Sequence, residues 1–437
     1  MKNNKFLKST LILIVGSLIT KVMGFIIRIL YTRIIGSEGI SLYTLIMPTY
    51  SLIVTIAGFA MPITISKLIS EGKIRSKTIM SQAIFILLTI NIITMLIIIL
   101  SSNFISNTLL NEPRVKVLLI GATLSMPNMA LACILKGYFY GIQKMLPNTI
   151  SNIIEQSIRI IFIIFFLPKI TNISIEAGIL SFLLINILTE GASILTFIFL
   201  LPKNVNISLK DIKYNKEVSL LLFNDSLPLI SGKIIGSIGF FFEPIILSNT
   251  FLLMGYPSNY FTLEYGIYNG YALSLLMMPS FIIASLCTAL IPEISKYYAK
   301  GNIKHVKKRI KQSLIISFIF GLIITIFIFI KRDYLLNLLY NTNKGSNYIA
   351  FLSIFFVLYY LEAPLSSILQ ALNYSKFTMK TTTIGVIIKL ILMFLLSLLK
   401  IGLYSLVIAE AINIIYIVYK NYNKIKKIIK KKEILLN

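Results

Sequence analysis

Apolar runs of about 18 or more residues recur along the whole chain, and short polar segments separate them. Such a run is long enough to cross the hydrocarbon core of a bilayer as a helix. The pattern predicts an all-α polytopic membrane protein with about twelve transmembrane helices. The predicted spans are 9–35, 40–66, 78–101, 117–135, 147–167, 177–200, 218–247, 265–291, 312–330, 347–371, 381–399 and 401–419. The basic start "MKNNKFLK" imitates a signal peptide, but no small-residue cleavage site follows, so we expect an uncleaved first helix.

The cations are distributed unevenly between the two sets of loops. The chain is 57% hydrophobic and has a mean hydropathy of +0.86 and a net charge of +26. If the termini and alternate loops lie on one side, that side has 29 of the 42 Lys and Arg residues and the other side has 8. An excess of Lys and Arg marks the cytoplasmic side. We therefore expect both termini to lie in the cytoplasm, and the basic charge requires no nucleic acid as partner.

The remaining features of the sequence predict no catalytic centre, cofactor or metal site. The basic tail "KNYNKIKKIIKKKEILLN" is expected to lie against anionic membrane lipid, and the alternative is a site for a specific partner. Cys133 and Cys287 both lie in predicted spans, where they indicate neither a disulfide framework nor metal ligation. His305 lies in a basic loop, where we expect a solvated side chain rather than a catalytic base.

The sequence contains an internal duplication. The motif Ile-Ser-Lys, with a glycine five residues after the lysine, follows predicted helices 2 and 8 at 65–72 and 294–301. The segment "ILKGYFYGIQKM" (134–145) aligns without gaps to "ILQALNYSKFTM" (368–379). A third, fainter match joins Lys21-x-x-Gly24 in helix 1 to Lys233-x-x-Gly236 in helix 7. The sequence numbers of the matched positions differ by 229, 234 and 212, and the order is the same.

These matches predict two lobes of six helices each. The predicted parts are an N-lobe (1–202, helices 1–6), a cytoplasmic linker (203–216), a C-lobe (217–420, helices 7–12) and a basic cytoplasmic tail (421–437). Because six is an even number, both copies enter the membrane from the same side. The lobes are therefore expected to be parallel repeats, related by a pseudo-two-fold axis along the membrane normal. Alternating-access transporters are built in this way and bind their substrate between the lobes.

Cations within the first predicted helix are the main functional signal. Lys21 and Arg28 are seven residues apart, so they share one helix face within about 20°. Gly24 lies between them and leaves the backbone open to close approach. An ionisable residue in a membrane helix costs about 2.5–3.5 kcal/mol on insertion and usually faces a cavity or a partner. The two cations therefore either line a cleft or pair with carboxylates of another helix.

Two further cations extend this hypothesis. Arg33 lies near the outer end of the first helix, where it either lines the cavity or serves as an interfacial anchor. If the third sequence match is a true repeat, Lys233 faces the cleft from the other lobe at a depth comparable to that of Lys21, and Gly236 opens the backbone beside it.

The predicted helices also contain carboxylates. Glu155 and Arg159 are an i, i+4 pair in helix 5 and are expected to neutralise each other as a structural pair. Glu243 directly precedes Pro244, a candidate break of helix 7. The carboxylates expected either to bind a coupling ion, H⁺ or Na⁺, or to neutralise the cavity cations are Glu190, Asp225, Glu243, Glu362 and Glu410. Spacing alone leaves both options open.

Two or three fixed cations favour an anionic substrate. Phosphate and pyrophosphate are the natural candidates, since Lys and Arg form strong charge-assisted hydrogen bonds with them. A water-filled cleft that opens sideways to lipid suits a phosphate that is carried on a lipid.

Four segments resemble a known family. They are "TKVMGFIIRILYTRIIGSEGISLYTLIMPTYSL" (20–52), "MPITISKLISEGK" (61–73), "LKGYFYGIQKMLPNTISNIIEQSIRI" (135–160) and "YNGYALSLLMMPSFIIASLCTALIPEISKYY" (268–298). These segments are similar to the stage V sporulation protein B family of polysaccharide flippases. They occur in the same order as in that family, and the resemblance covers nearly the whole chain. This family belongs to the multidrug/oligosaccharidyl-lipid/polysaccharide exporter superfamily, which also holds the bacterial lipid II flippases.

The resemblance implies a V-shaped pair of six-helix lobes that translocates an undecaprenyl-pyrophosphate-linked sugar. In lipid II flippases, cations of helix 1 line the cavity, and the matching positions here are Lys21 and Arg28, with Arg33 in the matching "RIIG". Lipid II flippases carry two further helices that form a lipid groove, whereas the pattern here predicts twelve, and chains of the sporulation family are usually longer.

The leading hypothesis is a flippase for a lipid-linked saccharide of the cell wall or spore envelope, such as a peptidoglycan precursor. We expect it to be driven by a coupling ion or the membrane potential and to act as a monomer. The alternative is a cation-coupled multidrug exporter of the same fold, whose lobe interiors should be acidic or apolar rather than cationic. A membrane-embedded glycosyltransferase needs a carboxylate cluster or a catalytic base in a sizeable loop, and the sequence shows neither. A scaffold role leaves the charges within the helices unexplained.

Overall fold

Every regular element is a helix in the computed structural model, which describes residues 2–202 and 215–434. The α-helices are α1 (Lys2–Gly58), α2 (Met61–Glu71), α3 (Ser76–Phe104), α4 (Val115–Thr123), α5 (Met126–Gly141), α6 (Leu146–Phe165), α7 (Leu167–Thr171), α8 (Ile175–Leu200), α9 (Lys216–Leu253), α10 (Ser258–Gly266), α11 (Ser274–Met277), α12 (Ser280–Ala299), α13 (Ile303–Tyr340), α14 (Ser346–Ala371), α15 (Ser375–Ser397) and α16 (Tyr404–Ile434). Two π-helical segments, Ile105–Leu109 and Ile267–Leu273, follow α3 and α10. The all-α fold class predicted from the apolar pattern is confirmed.

Gly36 divides α1 into two helical arms. Its backbone has φ 67° and ψ −171°, a combination that is open essentially to glycine alone. Within the described residues, eight helical stretches are long and apolar enough to cross a membrane, and the first of them, Val15–Glu71, includes parts of both arms. The chain is therefore a multi-pass membrane protein. The number of twelve spans stays a prediction.

Helix α9 runs without interruption from Lys216 to Leu253. The sequence marks Pro244 as a candidate break, because proline has no N–H group to donate to the preceding turn and its ring crowds a carbonyl there. The candidate break is not present. One lost hydrogen bond in a helix of 38 residues leaves the neighbouring turns paired, so the backbone stays helical.

The chain divides into two compact units in the middle of α9. Unit 1 comprises Met1–Phe241 and includes the first part of α9, whereas unit 2 comprises Phe242–Asn437. The buried apolar core of unit 1 is formed by side chains of α2, α3, α5, α8 and the first part of α9. The predicted lobe boundary stays a prediction, and most of the predicted linker (203–214) lies outside the described residues.

In unit 2, the buried ring of Tyr360 in α14 packs with Ile283 and Cys287 of α12. The Tyr360 hydroxyl donates a hydrogen bond to the carbonyl oxygen of Leu276 at 2.8 Å. Gly321 of α13 makes room for this ring, because a Cβ at position 321 would lie 3.0 Å from the Cβ of Tyr360. These contacts hold α12, α13 and α14 together around a buried polar hydroxyl whose hydrogen bond is satisfied.

Three pairs of turns support the internal duplication. Each pair consists of residues with positive φ close to a helix end, and the pairs are Gly72 (68°) with Gly301 (72°), Asn111 (55°) with Asn341 (54°), and Gln143 (58°) with Asn373 (67°). The sequence numbers within the pairs differ by 229, 230 and 230. In the last pair the N–H groups of Gln143 and Asn373 each donate at 3.0 Å to the carbonyl three residues earlier. A constant offset between equivalent turns is what a duplicated helical unit should show.

The turn geometry corrects one of the sequence matches. It aligns Gln143 with Asn373 at an offset of 230, whereas the gapless match of 134–145 to 368–379 uses 234. Four residues are about one helical turn, so both alignments place the same face of one helix on the same face of the other. The apolar pattern therefore fits either alignment, and only the position of the turn distinguishes them.

The match between Lys21 and Lys233 has a different offset from the three turns. Gly36 and Gly255 are the next positive-φ glycines after the two lysines, with φ 67° and 83°. Lys233 precedes its glycine by seven more positions than Lys21 precedes Gly36. Seven residues correspond to about 10 Å along a helix. The unequal distances of the two lysines from these glycines do not favour the prediction that Lys21 and Lys233 lie at comparable depth in the membrane.

Candidate functional site

The first arm of α1 presents Lys21 and Arg28 as exposed side chains. Gly24 lies between them, and a Cβ at this position would meet no atom within 4 Å. Lys21 has no ion-pair partner among the residues that the structure describes. The structure therefore places two cations on one helix face beside open space, which is the arrangement that an anion site needs.

Arg33 is also exposed and lies three residues before the break at Gly36. It is five residues from Arg28, which turns its side chain about 140° around the helix. The structure therefore does not bring Arg33 onto the face that Lys21 and Arg28 share. Its position at the end of the arm agrees better with the interfacial-anchor alternative.

Aromatic rings tie the two arms of α1 to α8 close to Arg28. Tyr31 is buried and stacks on Phe182 of α8, with ring centroids 4.0 Å apart. Tyr43 of the second arm packs edge-on against Tyr31 at 4.7 Å. The charges of Arg28 and Arg159 both act on the Tyr43 hydroxyl. Tyr43 thus lies within electrostatic reach of Arg28 in α1 and of Arg159 in the polar network between α6 and α8.

That network is centred on Arg159 of α6. Its guanidinium donates to Glu155 Oε1 at 3.0 Å, one helical turn earlier. It also donates to Asn186 Oδ1 at 2.8 Å and to Thr189 Oγ1 at 3.3 Å, both in α8. Because these contacts satisfy the guanidinium from two helices, Arg159 positions α6 against α8 as well as neutralising Glu155.

A further group of charges surrounds Cys133 of α5. The charges of Lys136, Glu190 and Lys233 all act on the Cys133 thiol. Glu190 in turn interacts with Glu155, Lys136 and Arg159. Lys233 is exposed in the first part of α9, and a Cβ at Gly236 would meet no atom within 4 Å, as at Gly24. Lys136, Glu190 and Lys233 are thus each within electrostatic reach of Cys133 in unit 1.

Asp225 belongs to a row of polar contacts between the first part of α9 and its neighbours in unit 1. The contacts are Ser219 Oγ to Gln82 Oε1 (2.9 Å), Lys67 Nζ to Asp225 Oδ2 (2.8 Å), Ser226 Oγ to Thr64 Oγ1 (2.8 Å) and Thr55 Oγ1 to Ser237 Oγ (3.0 Å). Asp225 is thus paired with a lysine of α2 rather than with a cation of α1. Ser219, Ser226 and Ser237 share one face of α9 over a length of about 27 Å, and Asp225 lies to one side of that face.

Unit 2 has a buried charge triad around Lys389 of α15. Its ammonium lies 2.6 Å from Glu243 Oε2 of α9 and 2.6 Å from Glu410 Oε2 of α16. The hydroxyl of Tyr265 donates to the other oxygen of Glu243 at 3.1 Å. The side chain of Glu243 is 3% exposed, and those of Lys389 and Glu410 are 15% exposed. One ammonium thus neutralises only one of two carboxylates that are largely removed from water.

Glu362 of α14 adds a third carboxylate to this region. The charge of Glu410 acts on Glu362, and the charge of Glu362 acts on the hydroxyl of Tyr359. Glu362 is half-buried, and no ion pair joins it to a cation among the described residues. Of the carboxylates that the sequence singled out, Glu243 and Glu410 share the ammonium of Lys389, and Glu362 lies within electrostatic reach of Glu410. Glu190 and Asp225 lie in unit 1.

Sequence reasoning missed two functional candidates, Lys136 and Lys389. Lys136 is assigned to a loop by the predicted span that ends at 135, but α5 continues to Gly141 and keeps Lys136 half-buried. Lys389 is the one cation within the predicted span 381–399, a signal as strong as that of Lys233 in the span 218–247. Gly385, one turn before Lys389, lets α15 approach α16, since a Cβ there would lie 2.6 Å from Asn413 Oδ1.

The charged residues described above differ in balance between the two units. In unit 1 the cations outnumber the carboxylates, with Lys21, Arg28, Lys67, Lys136, Arg159 and Lys233 against Glu155, Glu190 and Asp225. In unit 2 the balance is reversed, with Lys389 against Glu243, Glu362 and Glu410. Unit 1 is suited to hold an anion, and unit 2 is suited to hold a proton or another cation. No cluster of three or more His, Cys, Asp or Glu side chains in the described part of the chain is arranged to hold a metal ion.

Solved structures of membrane transporters have the same fold. An inward-facing multidrug resistance MATE family transporter of the MOP superfamily superposes with a TM-score of 0.78 and 14% identity over 95% of each chain. A MOP superfamily transporter from Pyrococcus furiosus, whose title reports reversed polarity of the binding pocket, gives a TM-score of 0.62 and 16% identity over 98% of this chain and 96% of that one. These likenesses show the fold.

Sequence relatives narrow the family. Stage V sporulation protein B of Bacillus subtilis is 30% identical over 417 residues, which cover 91% of this chain and 79% of the relative. Lipid II flippase MurJ of the same organism is 23% identical over 290 residues, or 62% of this chain and 52% of the relative. The family described as "MatE" matches residues 268–395. The family described as "Polysaccharide biosynthesis protein" matches residues 6–298, and the chain belongs to this polysaccharide biosynthesis protein family.

Proposed function

We propose that this protein is a flippase that moves a saccharide linked to undecaprenyl phosphate or pyrophosphate across the bacterial cytoplasmic membrane, without a catalytic step. The observation that carries the proposal is the shared face of Lys21 and Arg28 beside the open space at Gly24. Membership of the polysaccharide biosynthesis family and the names of the relatives support a lipid-linked saccharide as substrate, either a peptidoglycan precursor or another envelope polysaccharide unit.

The phosphate or pyrophosphate of such a substrate carries the negative charge by which these cations would hold it. Lys21 and Arg28 offer it charge-assisted hydrogen bonds from one direction. We assign Lys233 and Lys136 as further cations of the same anion path, because Lys233 is exposed beside the open space at Gly236 and Lys136 is half-buried in α5, both in unit 1. Arg159 is left out of the path, since its guanidinium is already held by Glu155 and by α8.

The alternative function is a cation-coupled multidrug exporter. The observation that favours it is the excess of carboxylates in unit 2, together with the "MatE" match over residues 268–395. We assign these carboxylates instead to coupling. Glu362 is the proposed site of the coupling proton, because Glu243 and Glu410 already share the ammonium of Lys389.

The experiment uses proteoliposomes loaded with a fluorescent undecaprenyl-pyrophosphate disaccharide. Reagents that react only with the outer-leaflet head group measure translocation over time, and liposomes without protein give the background. We expect translocation of the lipid-linked saccharide and no export of a fluorescent organic cation. Export of the organic cation without movement of the lipid-linked saccharide would establish the multidrug alternative.

A second prediction concerns alternating access. The first part of α9 is the beginning of the predicted C-lobe, so we propose that its polar row with α1, α2 and α3 breaks during the transport cycle. In a background that lacks Cys133 and Cys287, a disulfide between Thr55→Cys and Ser237→Cys should stop translocation, and reduction should restore it. The hydroxyl oxygens of Thr55 and Ser237 are 3.0 Å apart, close enough for such a bond.

The matched control is the pair Ser151→Cys and Ser193→Cys in α6 and α8. Their hydroxyl oxygens are 2.5 Å apart, and both helices lie within unit 1. This disulfide should leave translocation unchanged. Equal transport by the oxidised 55–237 variant would show that the row stays closed throughout the cycle.

A third prediction concerns topology and oligomeric state. We propose that both termini face the cytoplasm and that one copy of the chain is sufficient for transport. In whole cells, a single cysteine at position 256 should react with an impermeant maleimide, whereas one at position 302 should react only after lysis. The reverse labelling pattern would contradict the predicted topology. Loss of transport when the protein is diluted to one copy per vesicle would contradict the proposal that a monomer is sufficient.

A further inference from the structure

The last helix continues well beyond its apolar part. Helix α16 has 31 residues, which is about 47 Å, whereas the hydrocarbon core of a bilayer is about 30 Å thick. Residues 420–432 contain seven lysines and no other charge. The described structure keeps this segment helical to Ile434. The basic tail expected from the sequence is therefore, over residues 420–434, an ordered extension of α16.

One side of this extension is packed against unit 2. Ile425, Ile428 and Ile429 are buried, with at most 7% of each side chain exposed. The ammonium of Lys424 lies 4.8 Å from the ring centre of Tyr374, and that of Lys432 lies 5.1 Å from the ring centre of Tyr298. These cation–π contacts and the buried isoleucines fix the extension to the turn after α14 and to the end of α12.

The opposite side of the extension carries exposed lysines. Lys426, Lys427, Lys430 and Lys431 are all exposed and cover an arc of about 140° around the helix. Tyr419 and Tyr422, 62% and 50% exposed, precede them. Exposed tyrosines followed by cations are typical of a helix that leaves the apolar core through the head-group layer.

The start of α13 repeats this arrangement. Lys304, Lys307, Lys308 and Lys311 are exposed on one face, while the opposite face is buried. Within the same region, the carboxylate of Glu293 accepts a hydrogen bond from Arg309 at 2.7 Å. The contact of Lys432 with Tyr298 places the extension near the start of α13, only five residues after that tyrosine.

We propose that these two strips form one lysine surface, made of Lys304, Lys307, Lys308, Lys311, Lys426, Lys427, Lys430 and Lys431, which binds anionic phospholipid head groups of the adjoining leaflet. Lys426 is only one to two helical turns beyond the exposed tyrosines, so its side chain reaches the head-group layer. Each lysine near an anionic surface contributes about 1 kcal/mol. Because the packed face fixes the extension, its lysines are held outward before any lipid binds, and little conformational entropy is lost.

The surface is independent of what the protein transports, so its test needs no transport assay. The full chain is reconstituted in vesicles of phosphatidylcholine and phosphatidylglycerol in a four-to-one ratio, then extracted in mild detergent. The phosphatidylglycerol retained per protein is measured by mass spectrometry. A variant with Lys426, Lys427, Lys430 and Lys431 all replaced by Gln should retain at least five-fold less, since even one full lysine contribution corresponds to about that factor. The same four positions replaced by Arg should retain the wild-type amount.

The matched control replaces four exposed lysines elsewhere by Gln, and these are Lys169, Lys331, Lys344 and Lys400. It changes the net charge equally and should retain the wild-type amount of phosphatidylglycerol. An equal loss of phosphatidylglycerol in this control would show that retention depends on net charge alone, and it would contradict the proposed lipid-binding surface. Wild-type retention in the first variant would overturn it as well. Displacement of the lipid by millimolar inorganic phosphate, without a matching effect of chloride, would show a site for free phosphate instead of a lipid surface.

Discussion

Lys21→Ala and Arg28→Ala should each slow translocation of a lipid-linked saccharide by about 10- to 100-fold, while the protein still inserts and keeps its thermal stability. A hydrogen bond to a charged group contributes about 1.5–3 kcal/mol, and the anion loses one such bond in each variant. Neither side chain is buried, so removal of either leaves no cavity in the fold. The measurement is head-group translocation in proteoliposomes, together with thermal unfolding of each variant.

Conservative replacements separate charge from shape at these two positions. Lys21→Arg should keep partial activity, because an ammonium acts as a point charge that another cation can replace. Arg28→Lys should lose more, since a lysine cannot form the two parallel hydrogen bonds of a guanidinium. The matched control is Lys331→Ala, an exposed lysine toward the end of α13, which should transport normally.

Two results would contradict the anion site. Normal transport by both alanine variants would mean that the substrate phosphate is held elsewhere, for example by Lys136 and Lys233. A large loss of thermal stability would mean that the cations of α1 are structural, as the salt-bridge alternative in the sequence requires. Loss of transport with stability intact is the outcome that the exposed face and the open space at Gly24 predict.

The helical architecture could be predicted from the sequence because its cause is local. A run of apolar residues long enough to cross a bilayer has few options other than a helix, since every backbone group must be satisfied within the segment. The break in α1 is local as well. It lies at Gly36, between the predicted spans 9–35 and 40–66, and its backbone angles are accessible essentially to glycine alone. Glu155 and Arg159, four residues apart on one helix, form an ion pair at 3.0 Å for the same local reason.

Contacts between helices could not be predicted in this way. Nothing in the spacing of Asp225 indicates that Lys67, on a helix far earlier in the chain, is its partner. The alignment of 134–145 with 368–379 shows a further limit. A shift of four residues, about one helical turn, keeps the same residues on the apolar face, so the sequence pattern does not show the shift. The positions of the positive-φ residues Gln143 and Asn373 in the structure do show it. Pro244 shows the opposite case, in which a strong local signal is overridden by a helix that is long and well paired on both sides.

Lys389→Met should lower the thermal unfolding temperature by about 5–15 °C. Removal of one partner from a buried ion pair costs about 3–5 kcal/mol, because the remaining charge stays in a poorly solvated site. Here the loss leaves both Glu243 and Glu410 without the ammonium that lies 2.6 Å from each of them. Unfolding is followed with a thiol-reactive dye, which reports exposure of the buried Cys287. Lys400→Met, at an exposed lysine, is the matched control and should unfold like the wild type.

Neutralising the carboxylates as well should reverse most of this loss. The triple variant Lys389→Met, Glu243→Gln, Glu410→Gln contains no buried charge from the triad, and replacement of a whole buried ion cluster by neutral groups is often tolerated. We expect its unfolding temperature to lie within a few degrees of the wild type. If the triple variant is as unstable as Lys389→Met alone, lost packing of the lysine stem explains the effect, because methionine leaves the same gap in both. If Lys389→Met alone is as stable as the wild type, the two carboxylates take up protons or solvent cations in place of the ammonium, and unit 2 then contains an exchangeable cation site that the lysine normally fills.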